Sequence, residues 1–270
     1  MKITNLSEYE FPKVIECLLD SFQNYFIKMP EDIAYWKKRF YHARVDFSLS
    51  YGVMDKNNLV GFIINAVDFD KKLKTAYNTG TGVIKRYRGN QWVDKMYQHS
   101  IPLLKASGIE QCKLEVVDKN YRAIKVYERI GFKKARRLKS YKGEISSGPA
   151  VKIKLLSLDQ IDQLNTCEKY SWDFTNATVQ KASEHYELYQ VLGEKNNKIM
   201  GHFVINSQNG TVAQLECTDG NWEYLFSGIA WANRTIKINN IDESRIDLIH
   251  HLEKNKIPNV IDQFEMEMKI

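Results

Sequence analysis

The chain has 270 residues, 43% of them hydrophobic and 27% charged, the balance of an ordinary globular protein long enough for two compact domains that need not share a core. Its formal charge of +6 is spread over mixed-sign segments, which describes a solvated surface before it describes a polyanion site. Cys17, Cys112, Cys167 and Cys217 show neither Cys-x-x-Cys spacing nor companion histidines, so small buried thiols in a reducing compartment are expected. The opening MKITNLSEYE is too polar for a signal peptide and the longest apolar runs, such as Leu59 to Val67, are strand-sized; a cytoplasmic protein that does not engage a membrane is the expectation.

In chain order, a short strand is predicted near Lys2 to Leu6. An amphipathic helix follows from about Phe11 to Phe26, with Val14, Cys17, Leu18, Ser21, Phe22 and Tyr25 on one face. A second helix, Glu31 to Ala43, starts after Pro30 with acidic residues in its first turn, as the helix dipole favours. Three strands come next, Phe47 to Met54, Leu59 to Phe69 and Lys74 to Ile84, with a polar turn over Asp55 to Asn58. The pattern then changes to a helix over Asn90 to Ser107, a strand over Gln111 to Val117, a helix over Asn120 to Ile130 and a strand near Lys133 to Tyr141. Such alternation implies an α/β layer with the long helix crossing over the sheet.

Ser146, Ser147, Gly148 and Pro149 form a small-residue break, which places the domain boundary between 1–145 and 146–270. The second half reads as a repeat of the first. Asn58 to Asn65 (NLVGFIIN) resembles Lys198 to Asn206 (KIMGHFVIN), each with a glycine, Gly61 and Gly201, three residues on. Downstream the same order recurs: a strand over Thr211 to Cys217, a helix over Trp222 to Ala232, a strand over Thr235 to Ile241, a helix over Glu243 to Asn255 and a strand over Val260 to Ile270.

The segment from Leu114 to Phe132 (LEVVDKNYRAIKVYERIGF) carries the most chemistry. It reads as a strand, a turn at Asp118 and Lys119, and a helix capped by Asn120, with Ala123, Ile124, Val126, Tyr127 and Ile130 on one face. Gly131 suits the left-handed cap before Phe132 returns to the core. On residues alone Tyr127 is as readily a core aromatic as a functional one. The wider pattern, Asn-x-x-Ala-Ile-x-x-Tyr-x-x-x-Gly-Phe after an apolar strand, resembles the hallmark of the GNAT superfamily of acetyltransferases. A second segment, Val83 to Met96 (VIKRYRGNQWVDKM), resembles the strand, loop and helix start with which that family holds a pyrophosphate. It departs from the family pattern at Gln91 and Val93, where small residues are usual, and this departure bears on cofactor affinity.

The resemblance implies a mixed, splayed sheet flanked by helices, with two tandem domains of which the second is a shortened copy. It implies acetyl-CoA as cofactor and direct attack by an acceptor amine, without a nucleophilic Ser or Cys. Tyr127 matches the residue that protonates the departing thiolate. Cofactor contacts fall to Val83 and Ile84 on the strand, Arg88, Gly89, Asn90 and Gln91 in the loop, Trp92 and Val93 at the helix start, and Asn120, Ala123 and Tyr127 beyond. The base stays open among Asp68, Asp70 and Glu115, each equally a strand-end charge, while Asn78 can only orient a water.

The second copy lacks this equipment. Only Thr218 to Trp222 (TDGNW) joins its strand to its helix, and Leu252 stands where Tyr127 does, Lys256 and Ile257 where Gly131 and Phe132 do. Its expected role is architectural. Tyr170, Trp172 and Phe174 read as core packing before they read as a wall of the acceptor pocket. His202, His250 and His251 show no metal-ligand spacing, so no metal is expected. The leading expectation is an N-acetyltransferase acting on a small-molecule or peptide amine, with a homodimer left open. The alternative is a non-catalytic GNAT-fold ligand-binding or scaffold protein. The basic runs Lys85, Arg86 and Arg88, and Lys133, Lys134, Arg136 and Arg137, lie beside the motifs, where a phosphate-rich cofactor explains them as well as nucleic acid does, and no nucleic-acid recognition motif is present.

Overall fold

The computed structural model describes residues 1–23, 25–26, 28–164, 169–195 and 197–270. It divides into two compact units, the first comprising Met1–Ala135 with Glu265–Ile270 and the second Arg136–Phe264. The division falls before the Ser146 to Pro149 break expected from composition. That break is the loop after strand β6 (Lys133–Glu144), and most of β6 pairs antiparallel with β11 (Thr235–Asp242), from Thr235↔Glu144 to Asp242↔Leu138. Ladder partners, set by residues a hundred positions apart, decide the boundary here, and local composition cannot register them.

In the first unit β1 (Lys2–Asn5), β2 (Tyr51–Asp55), β3 (Asn58–Asp70) and β4 (Leu73–Val83) form an antiparallel meander, to which β5 (Gln111–Val117) adds in parallel. The end of β12 (Asn259–Lys269) belongs to this unit beside β5, where the Ile270 N–H donates to the Glu110 carbonyl at 3.0 Å. Helix α1 (Phe11–Ser21) buries Val14, Ile15, Cys17 and Leu18 over Phe62 and Ile64 of β3. Asp32 caps α2 (Ile33–Ala43) through the Ala34 and Tyr35 N–H groups. Two predicted elements differ. The helix expected to reach Phe26 stops at Ser21, because Phe22, Tyr25 and Phe26 leave the helical repeat for an edge-to-face aromatic cluster with ring centroids 4.9 and 5.3 Å apart; Asn24 lies outside the described residues. The strand expected from Phe47 begins at Tyr51, since the Asp46 carboxylate accepts from the Ser48 N–H at 2.8 Å and closes a helical turn over Phe47–Leu49.

The second unit repeats this order: β8 (Glu187–Gly193), β9 (Ile199–Asn206) and β10 (Thr211–Cys217) form a meander, then come α6 (Trp222–Ala232), β11 and α7 (Ile246–Lys254). It also holds β7 (Val151–Leu156) and α5 (Asn176–Lys181), which, like β8, the sequence pattern did not flag. Tyr141, Phe203, Leu215, Leu225, Ile229, Leu248 and Leu252 share one core. Among the described residues no helix is long and apolar enough to cross a membrane. Cys17 and Cys112 are buried and unpaired, Cys217 is half-buried and unpaired, and Cys167 lies outside the described residues.

Candidate active site

In the first unit β4 and β5 run together only from Thr75↔Gln111 to Asn78↔Leu114, where the parallel ladder stops. Beyond it opens a cleft of ≈ 760 Å³, walled by β4, the loop into α3 (Trp92–Ala106), the start of α4 (Tyr121–Ile130) and the aromatic cluster after α1. Of the residues expected to contact a cofactor, Val83, Arg88, Gly89, Gln91, Trp92, Val93, Asn120, Ala123 and Tyr127 line this cleft. Two do not. Ile84 turns into the core under α1, and Asn90 is exposed and holds the loop, its amide donating to the Tyr87 and Arg88 carbonyls at 3.1 and 3.3 Å.

The loop gives the cleft an anion-ready end. No side chain caps the start of α3, so its first N–H groups have no side-chain acceptor. Gly89 adopts φ +84°, with nothing within 4 Å of where a Cβ would stand, which leaves the backbone open to a ligand. Gln91 sits at φ 55°, the left-handed region that explains why glycine suits this position. The Trp92 indole N–H is buried without a partner, a donor such a ligand could satisfy. Arg88 acts differently from expectation: its guanidinium donates to the Val83 and Ser21 carbonyls at 2.9 and 2.8 Å, tying the end of β4 to the end of α1. Asp94, in the first turn of α3, is held below the usual carboxylate range by a bidentate pair with Arg129 at 2.6 and 2.7 Å.

Tyr127 lines the cleft. Asn120 places its helix by accepting the Ala123 N–H at 3.3 Å, and Gly131 and Phe132 close it with N–H bonds to the Tyr127 carbonyl at 3.1 and 3.0 Å. Burial pushes the Tyr127 phenol up to about 12, so the group carries its proton at neutral pH. Tyr25, a half-buried phenol lining the same cleft, is also raised, chiefly by burial. Sequence reading missed Thr81, although it stands on the strand it singled out. A Cβ on Gly82 would lie 2.7 Å from both Phe62 and Ser21, so glycine here is what admits the end of α1 to the cleft. The candidate bases Asp68 and Asp70 are ion-paired with Arg44 at 2.8 Å and Lys113 at 2.6 Å. The second basic run answers the protein's own acids, Lys134 reaching Glu128, Arg136 reaching Asp242 and Arg137 reaching Asp262.

The second unit has a matching gap, and its own side chains fill it. There β10 and β11 pair in parallel only over Thr211↔Lys237 and Val212↔Ile238. Cys217 faces Gly201 as Val83 faces Gly61, so Leu215 corresponds to Thr81. The Leu215 N–H donates to the Tyr170 hydroxyl at 2.9 Å, Arg245 donates to the Leu215 carbonyl at 2.7 Å, and Tyr170 donates to Glu216 at 2.6 Å. Trp172 and Phe174 are buried within this unit.

The first unit thus has a sheet splayed between two parallel strands, with the uncapped start of α3 and the Tyr127 phenol both lining the gap. Residues 12–132 match the model of the acetyltransferase (GNAT) family. Over 108 residues, 40% of this chain and 71% of the relative, the sequence is 29% identical to N-alpha-acetyltransferase 30 of Schizosaccharomyces pombe. The fold is similar to that of a tandem GNAT protein from the clavulanic acid biosynthesis pathway, with a TM-score of 0.68, 9% identity, and 99% of this chain and 98% of that one covered. It is also similar to a GCN5-related glucosamine N-acetyltransferase region of a fungal multi-domain β-N-acetylglucosaminidase, with a TM-score of 0.73, 10% identity, and 99% of this chain and 38% of that one covered.

Proposed function

We propose that the first unit transfers the acetyl group of acetyl-CoA directly to an amine of a small molecule, amino acid or peptide, and that Tyr127 is its general acid. The observation that carries this reading is the placement of a protonated tyrosine, half-buried, in the gap where β4 and β5 part. The uncapped start of α3, Gly89 and the Trp92 indole suit a pyrophosphate, and the unpaired edge of β4 suits an amide-bearing arm. Acetyl-CoA supplies an activated thioester. The residues bind it, keep water from its carbonyl carbon and aim that carbon at the acceptor. The amine nitrogen forms a bond to this carbon, the carbon–sulfur bond breaks, Tyr127 Oη gives its proton to the leaving sulfur, and the amine's surplus proton passes to solvent.

Against an ordinary thiol near ~8.5, a phenol near about 12 makes that transfer uphill by roughly 5 kcal/mol. Desolvation in the same cleft raises the basicity of the thiolate as well, which narrows the gap. The resemblance to an N-alpha-acetyltransferase supports a peptide N-terminus as acceptor. The test is a panel of amines, amino acids and short peptides scored by thiol release. Release with at least one amine, lost in Tyr127→Phe, supports the reading; release by neither protein with any amine goes against it.

A further inference from the structure

Resting on the reading of the cleft as a coenzyme A site, we propose that Arg129 is a positioning residue for the cofactor: it binds both carboxylate oxygens of Asp94 and so cancels an anion that would otherwise face the pyrophosphate. Asp94 is the third residue of α3 and lines the cleft with Gly89, Gln91 and Trp92. A carboxylate there favours the bare helix, because it meets the positive end of the dipole. Toward a bound diphosphate it is unfavourable, since it puts a like charge in the same cleft.

Arg129 answers that charge. It stands in the last turn of α4, two residues beyond Tyr127, and also lines the cleft. Its Nε donates to Asp94 Oδ1 at 2.6 Å and its Nη2 to Asp94 Oδ2 at 2.7 Å, the planar fork that matches a carboxylate. The Asp94 side chain is 13% exposed and that of Arg129 51%, so the acid is largely covered while the arginine reaches solvent and can be replaced without opening the core. Among the described residues no other cation pairs with Asp94; its neighbour Lys95 lies over the Trp92 ring at 4.2 Å. With its fork held by the acid, Arg129 acts on the cofactor through Asp94 rather than by touching it.

The experiment titrates the full chain with CoA and, separately, with inorganic pyrophosphate by calorimetry. Arg129→Met should weaken both ligands about tenfold, because Asp94 then faces them uncompensated, and added salt should shrink the loss. Asp94→Asn should bind at least as tightly as the wild type. The double variant should return to within about twofold of the wild type, since no charge is left for the arginine to cancel. That recovery decides the matter: an arginine that contacts the phosphates itself, or that merely ties α4 to α3, leaves the double variant as weak as Arg129→Met, which overturns the proposal. Unchanged affinity in Arg129→Met overturns it as well. Should Arg129→Met fail to fold, Arg129→Gln carries the same expectation with a hydrogen-bonding head in place. The two probes separate this inference from the reading beneath it. If pyrophosphate follows the predicted order and CoA does not bind, the acetyl-CoA reading fails and the cancellation stands; if CoA binds and the double variant does not recover, the cancellation fails alone; if the wild type binds neither, both fail.

Discussion

Tyr127 differs from an ordinary core tyrosine in what surrounds its oxygen. Its ring packs edge-on against Phe132 at 5.8 Å, while the residue lines an open cleft. Replacing it with phenylalanine keeps that packing and deletes the proton. Tyr127→Phe is expected to lower turnover about 10²-fold or more while leaving CoA affinity largely unchanged, as steady-state kinetics beside calorimetry would show. The residue was legible in the sequence because its spacing from Asn120, Ala123, Gly131 and Phe132 is a single local pattern. Thr81 was not, since its bond from Asn78 and its place on the cleft wall depend on where β4 parts from β5, which no local spacing encodes. Arg88 was legible as a cation near the loop, but its use in binding two backbone carbonyls follows from the approach of α1 to β4.

At the level of elements, the two units end their last helices in the same way with different residues. The Phe132 N–H donates to the Tyr127 carbonyl, and the Ile257 N–H donates to the Leu252 carbonyl at 2.9 Å, so the sequence alignment of these helices holds in space. The cap position is Gly131 in the first and Lys256, at φ 57°, in the second. A side chain in the left-handed region costs about 1 kcal/mol, so Lys256→Gly should stabilise the protein by about that amount in urea unfolding, and Gln91→Gly should do the same at the start of α3. Helices and strands with strong local periodicity, such as β5 and α4, were read to within a residue. Where side chains overrode the period, as at Asp46 and in the aromatic run after Ser21, the sequence pattern overshot. The strand β7 escaped notice because it alternates charged and apolar residues over a stretch too short to stand out from its polar surroundings.

For the whole chain, alkaline stability and cofactor stoichiometry follow from what each unit buries. Cys17, Cys112 and Cys217 are each pushed up from 9.0 to about 12, chiefly by burial, and Tyr127 is raised as well. The unfolded chain loses these protons first, so it binds fewer protons than the native state over that window and stability falls as pH rises. Urea midpoints are expected to hold below about pH 9 and to decline steadily toward pH 12, with Cys112→Ser reducing the slope. The repeat of two copies was legible from the glycine-bearing strand openings; the assignment of β6 and the end of β12 to units other than those their sequence positions suggest was not, because it rests on ladder partners. The gap of the first unit is open and that of the second is closed by Tyr170, Arg245 and Glu216, so the chain should hold one cofactor. Titration of the full chain with acetyl-CoA by calorimetry tests this most directly. The account predicts one site per chain in the micromolar range, weakened by substitutions at Gly89; no binding at millimolar cofactor, or two sites per chain, would contradict it.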